Sequence, residues 1–270
     1  MRISISNLAW NREEDEDISG VLKSLSIDAI DVAPGKYFPD PALASKEEIE
    51  RVKNWWGERG ISIIGMQSLM FGTSGLNMFS DEKIQALMLR HLSQISRIGS
   101  ILGADKLVFG SPKNRDRASL SDEKAQESAV SFFRRLGEIA EGYGVTFCLE
   151  ANPACYGSNF MTTSAETAQM VKDVSNSSIL MQLDSGAVAI NSEDPVQIAK
   201  NFRGLIGHVH LSEPDLVTLG EGKADHGAFS SALKAYLPDK AVTVEMLRQK
   251  NEPALSAVKK ALMVAKKYYL

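Results

Sequence analysis

The sequence predicts an α/β fold, a single-domain (β/α)8 TIM barrel formed by residues 1–270. Three observations support this prediction. Eight short β-rich runs alternate with helical stretches, and several of the runs are almost continuously apolar, as parallel strands covered on both faces are. The chain has 270 residues, close to the roughly 250 that one barrel needs. Eight repeats in this length give about 34 residues each, enough for one βα unit.

The candidate strands are recognised by their β-branched and apolar residues and by the turn residues around them. In chain order they are Ile3–Ala9, Ala29–Ala33, Ser62–Gln67, Lys106–Gly110, Thr146–Glu150, Ile179–Asp184, Gly207–Leu211 and Ala241–Glu245.

Several intervening helices carry recognisable start signals. Ser45 and Glu48 form a capping-box pattern that predicts a helix ending near Gly60. Similar signals predict a helix after Ser121, one over Ala165–Val174 with Ser164 as its N-cap, and a last one over Glu252–Tyr268.

The connections differ in length according to direction. Segments from a helix into a strand are short, whereas segments that leave a strand are long: Met70–Ser80, Ser111–Ser121, Asn152–Thr163 and Ser212–Phe229. In a barrel of parallel strands these long loops share the C-terminal face, where barrel active sites lie. We therefore expect the functional site there.

Composition excludes several classes of function. A net charge of −4 gives no electrostatic reason to bind nucleic acid or an anionic membrane. The N-terminal residues lack the apolar core of a signal peptide, and no apolar run reaches the length of a transmembrane helix. The only cysteines, Cys148 and Cys155, do not form a disulfide framework. We expect a cytoplasmic protein with two reduced thiols.

Four successive strands end on a residue that can bind a metal. These residues are Glu150, Asp184, His210 and Glu245, separated by 34, 26 and 35 residues. Neighbouring strands of a closed barrel would bring the four side chains together above its axis. Three carboxylates and one imidazole suit one divalent ion such as Mn²⁺, Zn²⁺, Co²⁺ or Mg²⁺.

Each of these residues also has an ordinary structural explanation. A single Glu at a strand end is usually a solvated rim residue, Asp184 alone fits a helix N-cap, and a single histidine is usually a hydrogen-bonded interior residue. Their occurrence on four successive strands favours the metal site, because ionisable groups are rarely placed inside a protein without partners.

In this arrangement the sequence resembles the xylose isomerase-like barrels, a group of sugar isomerases and epimerases that also includes endonuclease IV. The resemblance covers essentially the whole chain. The residues that carry it are Glu150, Asp184, His208-Val-His210, the loop Gly220-Glu-Gly222 followed by Asp225 and His226, and Glu245.

The resemblance implies that Glu150, Asp184, His210 and Glu245 are the metal ligands. It also implies that Glu150 and Glu245 are the catalytic pair that removes and returns a proton, through an enediolate held on the metal. The substrate would be a small sugar or sugar derivative, and the resemblance allows a homodimer or homotetramer.

Further polar or aromatic residues on the same face are candidates for substrate contact. His208 can instead orient the metal ligands, His226 can be a solvated loop residue, and Trp10 can be packing at the barrel rim. The loop Lys113–Arg117 and Arg248 carry cations that can receive a phosphate or simply stay solvated. The substrate-binding candidates are Trp10, Gln67, Asn152, His208, His226 and Arg248.

The sequence departs from the family at three positions. The ketose 3-epimerase branch commonly carries a Glu, a His and an Arg where this chain has Tyr156, Ala187 and Leu216. In that branch the three residues bind the substrate and are not metal ligands. This sequence therefore keeps the metal-binding residues but does not support assignment as a ketose 3-epimerase. The additional histidines of endonuclease IV are also missing, and we expect no nuclease activity.

Three functions remain open. The first is a metal-dependent isomerase or epimerase. The second is a dehydratase of the inosose type, in which the same base and metal expel a hydroxyl group. The third is a barrel without activity that binds sugars, which an intact set of four ligands disfavours.

Overall fold

Eight parallel strands close into a barrel in the order β1 to β8, each hydrogen-bonded to the next and β8 to β1. The computed structural model describes residues 1–270. The fold is therefore the single-domain (β/α)8 barrel that the sequence predicts. The strands are β1 Ile3–Ser6, β2 Ala29–Val32, β3 Ser62–Met66, β4 Lys106–Phe109, β5 Thr146–Glu150, β6 Ile179–Asp184, β7 Ile206–Leu211 and β8 Val242–Val244.

Nine helices surround the strands. They are α1 Asp15–Ser24, α2 Lys46–Gly57, α3 Glu82–Leu102, α4 Asp122–Tyr143, α5 Ser164–Val174, α6 Ser185–Ile190, α7 Pro195–Phe202, α8 His226–Tyr236 and α9 Ala254–Tyr269. Their apolar faces pack onto the strands in one continuous core of 65 buried residues. No helix combines the length and apolar character that crossing a bilayer requires.

Local sequence signals place two of the four predicted helix starts correctly, and α9 begins at Ala254, two residues after the predicted Glu252. The side chain of Ser45 accepts from the backbone of Glu48, and the Glu48 side chain closes the predicted capping box. Ser121 caps α4 in the same manner. The prediction of Ser164 as a cap is wrong by one residue, because the Thr163 side chain accepts from Glu166 N–H and Ser164 is the first helical residue.

Five strands end earlier than predicted, β1 by three residues and β2, β3, β4 and β8 by one. β1 stops at Ser6, because the chain turns into a short 3₁₀ segment over Asn7–Ala9. β8 stops at Val244, but the next N–H, that of Glu245, still donates to Leu211 O at 2.9 Å. Glu245 is thereby held at the C-terminal rim of the barrel. Both cysteines are free thiols, as expected, with Cys148 buried and Cys155 exposed.

Candidate metal centre

The four predicted ligands meet at the C-terminal mouth of the barrel. Glu150 ends β5, Asp184 ends β6, His210 lies in β7 and Glu245 follows β8. One donor atom from each residue lies within 4.8 Å of the donor atoms of the others. The His210 side chain is fully buried, whereas those of Glu150 and Glu245 keep 15% and 14% exposure. The cluster is therefore anchored in the barrel and open towards the cavity above it.

Sheet register and a glycine determine where these side chains point. Asp184 pairs directly with His210 across β6 and β7. A Cβ atom at Gly110, just beyond β4, would lie 2.0 Å from Glu150 Oε2. The Glu150 carboxylate therefore occupies space that only glycine leaves free at this position.

Asp184 is the most firmly held of the three carboxylates. Its Oδ1 accepts from Ala187 N–H at 2.7 Å, and its Oδ2 accepts from the Ser212 hydroxyl at 2.6 Å. Asp184 is thus both a candidate ligand and the N-cap of α6. Burial and the charges of Glu150 and Glu245 together raise the pKa of Asp184 to about 7.

The imidazole of His210 lies between carboxylates. Its Nδ1 is 3.2 Å from Glu245 Oε2 and 3.7 Å from Glu150 Oε1. Burial opposes the charged imidazole, but Glu245, Asp31 and Glu150 outweigh it and raise the pKa of His210 well above its usual value. Three close carboxylates repel one another strongly when all are ionised. Oxygen donors with one imidazole nitrogen are a donor set that fits a divalent cation.

Asp31 is a site residue that the sequence analysis missed. This carboxylate in the middle of β2 is completely buried, and its Oδ2 lies 2.6 Å from His208 Nε2 and 3.8 Å from His210 Nε2. Gly65 on β3 makes room for it, since a Cβ there would lie 2.5 Å from Asp31 Oδ2. A charged residue inside an otherwise apolar strand was the available signal.

Arg115 was also misjudged from sequence. We expected a cation in an exposed loop, but its side chain is fully buried and Nη1 donates to the backbone carbonyl of Glu150 at 2.7 Å. Its Nε and Nη2 have no hydrogen-bond partner. Arg115 therefore fixes the backbone of a candidate ligand and does not present its charge to a substrate phosphate.

Two predicted substrate contacts line the cavity above the cluster. Gln67 donates to the Ser6 hydroxyl, and its buried Oε1 has no partner. Asn152 donates to the Gly110 carbonyl at 2.6 Å and lies 3.4 Å from Glu150 Oε2. Both amides are therefore placed where a substrate hydroxyl could reach them.

Trp10 and His226, which were predicted to contact substrate, lie outside the cavity lining. Trp10 is fully buried, donates to Asp15 Oδ1 at 2.7 Å and packs edge-on against Trp56. His226 is the first residue of α8, not a loop residue, and is buried between Glu213 Oε1 at 3.0 Å and the Tyr269 hydroxyl at 2.8 Å. Neither ring reaches the cavity.

His208 and Arg248 also lie outside the cavity lining. His208 is buried beneath His210 and bonded to Asp31, which agrees with its alternative role of orienting the ligands. Arg248 forms an ion pair with Glu14 at 3.1 Å. Their predicted contact with substrate is not supported by these positions.

The three positions that depart from the family pattern come together. Tyr156, Ala187 and Leu216 all line the same cavity. The Tyr156 hydroxyl accepts from Asp215 N–H at 2.8 Å, so the loop after β5 is tied to the loop after β7. The sequence differences are thus concentrated around the space that a substrate would occupy.

Comparison with known proteins identifies the relatives of this arrangement. The sequence profile of the family described as "Xylose isomerase-like TIM barrel" matches residues 20–268. The match includes all four clustered residues and nearly the whole barrel.

Solved structures agree with this match. D-psicose 3-epimerase from Clostridium cellulolyticum H10, solved with D-tagatose, superimposes with a TM-score of 0.83 at 17% identity, covering 100% of this chain and 99% of that chain. L-ribulose 3-epimerase gives 0.82 at 20% identity, with 99% and 94% covered. The 3-keto-D-glucoside 4-epimerase from E. coli gives 0.81 at 18% identity, with 99% of both chains covered. At these identities the likeness establishes a shared fold.

Proposed function

The chain belongs to the xylose isomerase-like TIM barrel family, and we propose that it is a divalent-metal-dependent isomerase or epimerase of a sugar or sugar derivative. The observation that carries this proposal is the convergence of Glu150, Asp184, His210 and Glu245 within 4.8 Å at the mouth of the barrel. The activities named for the structurally similar proteins, sugar 3- and 4-epimerisation, agree with it.

The four clustered side chains would hold the ion. Asp184 is fixed through both oxygens, and His210 Nδ1 is hydrogen-bonded to Glu245 Oε2 at 3.2 Å. When bound, a divalent ion would act as a Lewis acid towards a carbonyl and the hydroxyl beside it.

Glu150 and Glu245 are the proposed proton-transfer groups. Their side chains are the partly exposed members of the cluster, so each can face a bound sugar carbon. One carboxylate would take the proton from the carbon next to the carbonyl. The electron pair of that C–H bond would form a C=C bond to the carbonyl carbon, and the π pair of the C=O bond would move onto the carbonyl oxygen. Return of a proton by the other carboxyl group completes an isomerisation or epimerisation.

Gln67 and Asn152 are the proposed polar contacts to the substrate. The unpartnered Oε1 of Gln67 can accept from a sugar hydroxyl, which would satisfy a buried polar atom. Asn152 lies beside Glu150 and can bond to a substrate oxygen while it helps to place that carboxylate.

Proton exchange tests this function directly. The protein with Mn²⁺ is incubated in D₂O with a panel of ketohexoses and 3-keto-glycosides, and the sugars are followed by NMR. The proposal predicts deuterium at one carbon next to the carbonyl, together with a new isomer. A dehydrated product would show the dehydratase reaction instead, and absence of exchange with every sugar would contradict both.

A further inference from the structure

The cavity above the metal centre is larger than a single sugar ring requires. Its volume is about 1150 Å³, whereas pockets that bury a drug-sized ligand usually measure roughly 300–1,000 Å³. Three of the candidate ligands, Glu150, Asp184 and Glu245, form its floor, and the loops after β3, β4, β5, β7 and β8 form its walls. A sugar ring over the floor would leave the upper part of the cavity free.

The upper wall is apolar and exposed. Eight large hydrophobic side chains of this chain are exposed, and three of them, Phe71, Tyr156 and Leu247, line this one cavity. Their exposed fractions are 82%, 41% and 45%. Single exposed apolar residues are ordinary, but a group of them around one cavity indicates a binding surface.

The apolar wall is held in place by its neighbours. Leu216 lies in the loop after β7, and its carbonyl accepts from Leu247 N–H at 2.9 Å. The adjacent Asp215 is bonded to Tyr156, and both Asp215 and Leu216 adopt positive φ angles of 60° and 52°. Such backbone conformations cost free energy and persist when the surroundings impose them. The part of the wall formed by Tyr156, Leu216 and Leu247 is therefore held in place by backbone contacts that need no ligand.

The charges of the cavity disfavour an anionic substrate. Lys113 is the single Lys or Arg in the lining, against five carboxylates. The three other cations considered for phosphate recognition are engaged elsewhere, Arg115 at the Glu150 carbonyl, Arg117 with Asp122 and Arg248 with Glu14. A divalent ion would offset only part of the negative charge. The cavity is thus better suited to an uncharged ligand. The carboxylates are Glu150, Asp184, Glu213, Asp215 and Glu245.

We propose that the substrate is an uncharged sugar with an apolar substituent, an aryl or alkyl aglycone, which lies against Phe71, Leu216 and Leu247. The sugar ring would lie below it, next to Glu150 and Glu245. This inference rests on the proposed function only for the placement of the ring. The apolar subsite itself stands on the exposure, size and charge of the cavity.

Matched glycosides test the subsite through binding. Calorimetric titration in the presence of Mn²⁺ compares methyl with phenyl β-D-glucopyranoside, and the comparison is repeated with the galactoside and xyloside pairs. Because burial of an aromatic ring is worth at least one decade in affinity, we expect the phenyl glycoside to bind about ten-fold more tightly in at least one pair. Equal affinities in all three pairs, or no binding of any phenyl glycoside, would overturn the proposal.

Variants locate the effect within the cavity. In the double variant Phe71→Ala, Leu247→Ala the preference for the phenyl glycoside should fall to about two-fold or less. The Leu43→Ala variant is the control, since Leu43 is 78% exposed and lies outside this cavity. A preference that survives in the double variant would overturn the assignment of the wall. Tighter binding of glucose 6-phosphate than of phenyl glucoside would overturn it as well.

A second copy of the chain is the competing occupant of this surface. Light scattering of the wild type and the double variant distinguishes the two. An unchanged oligomeric state supports the aglycone subsite, whereas a dimer that dissociates only in the double variant overturns it.

Binding and proton exchange are separate measurements. A phenyl preference without exchange would refute the proposed function alone, and exchange without the preference would refute the subsite alone.

Discussion

Asp31 on β2 lies 2.6 Å from His208 on β7, so a buried carboxylate and a buried imidazole are bonded across the barrel interior. The same carboxylate oxygen is 3.8 Å from Nε2 of the candidate ligand His210. Burial alone would raise the pKa of Asp31, but the two imidazoles outweigh it and hold this pKa well below its usual value. Asp31 is therefore a buried charged group beneath the candidate metal centre. It faces Nε2 of His210, whereas Glu245 faces Nδ1.

Replacement of this buried group should weaken metal binding. The Asp31→Asn variant keeps the shape of the side chain but loses the negative charge that orients the two imidazoles. Loss of such a supporting group typically lowers metal affinity about 10- to 100-fold, and we expect a decrease of this size for Mn²⁺ by titration. The control is Asp28→Asn, at an exposed position that pairs with Arg2. Wild-type affinity in Asp31→Asn would contradict the proposed role.

The proposed proton-transfer pair gives a prediction about catalysis. Glu150→Gln and Glu245→Gln should fold normally by circular dichroism, bind Mn²⁺ more weakly and lose exchange activity by at least about 100-fold, the usual contribution of a general acid or base. Glu221→Gln serves as the control, because Glu221 is an exposed partner of Lys260. Full activity in either of the first two variants would refute the catalytic assignment.

Gly110 offers a test that replaces none of the four candidate ligands. In Gly110→Ala the new Cβ would lie 2.0 Å from Glu150 Oε2, and the carboxylate must move. Because this atom is the end of a flexible side chain, we expect unfolding free energy to change by about 1 kcal/mol or less, while Mn²⁺ affinity and exchange activity fall. Gly142→Ala is the matched control, since a Cβ there meets nothing within 4 Å. Equal metal affinity in both variants would be inconsistent with the described geometry.

The loop after β7 gives a prediction about pH. Glu213 accepts from Gly220 and Ala224 N–H groups at 2.9 Å each and is bonded to His226. Burial opposes ionisation, but these hydrogen bonds outweigh it and lower the pKa of Glu213. Its carboxylate therefore stabilises the fold above the unfolded pKa of about 4.3, and this stabilisation is lost as the pH falls through the lowered folded value.

Urea unfolding of Glu213→Gln at several pH values checks this expectation. The variant should be less stable than the wild type by about 1–3 kcal/mol near pH 7, and the difference should shrink as the pH falls from about 5 to 3. Glu221→Gln, in the same loop, should show little effect at any pH. A difference that stays constant or grows in acid would refute the assigned role of the carboxylate.

The parts of the site that local patterns encode were predictable. Glu150, Asp184, His210 and Glu245 stand at strand ends spaced by about one βα unit, and barrel closure alone brings such positions together. Helix starts such as Ser45 and Ser121 were equally accessible, because a capping residue and its partner are only three residues apart.

The remaining features depend on partners distant in sequence. Asp31 bonds to a residue 177 positions away, so its role appears only once β2 and β7 are assembled. Trp10 and His226 were proposed as substrate contacts because of their residue types. In the structure the Trp10 side chain donates to Asp15, and the His226 side chain is bonded to Glu213. Strand register and loop conformation determine which side chains point into the barrel. Both depend on contacts between residues that are distant in sequence.

Metal content of the freshly purified protein, measured by mass spectrometry with no metal added, shows whether the barrel mouth holds a divalent ion. A site built from Glu150, Asp184, His210 and Glu245 predicts about one divalent ion per chain, or stoichiometric uptake of Mn²⁺ or Zn²⁺ after chelation. The Glu150→Gln and Glu245→Gln variants should take up less under the same conditions. A wild-type protein that contains no divalent metal and cannot be loaded with Mn²⁺ or Zn²⁺ would rule out the proposed metal site.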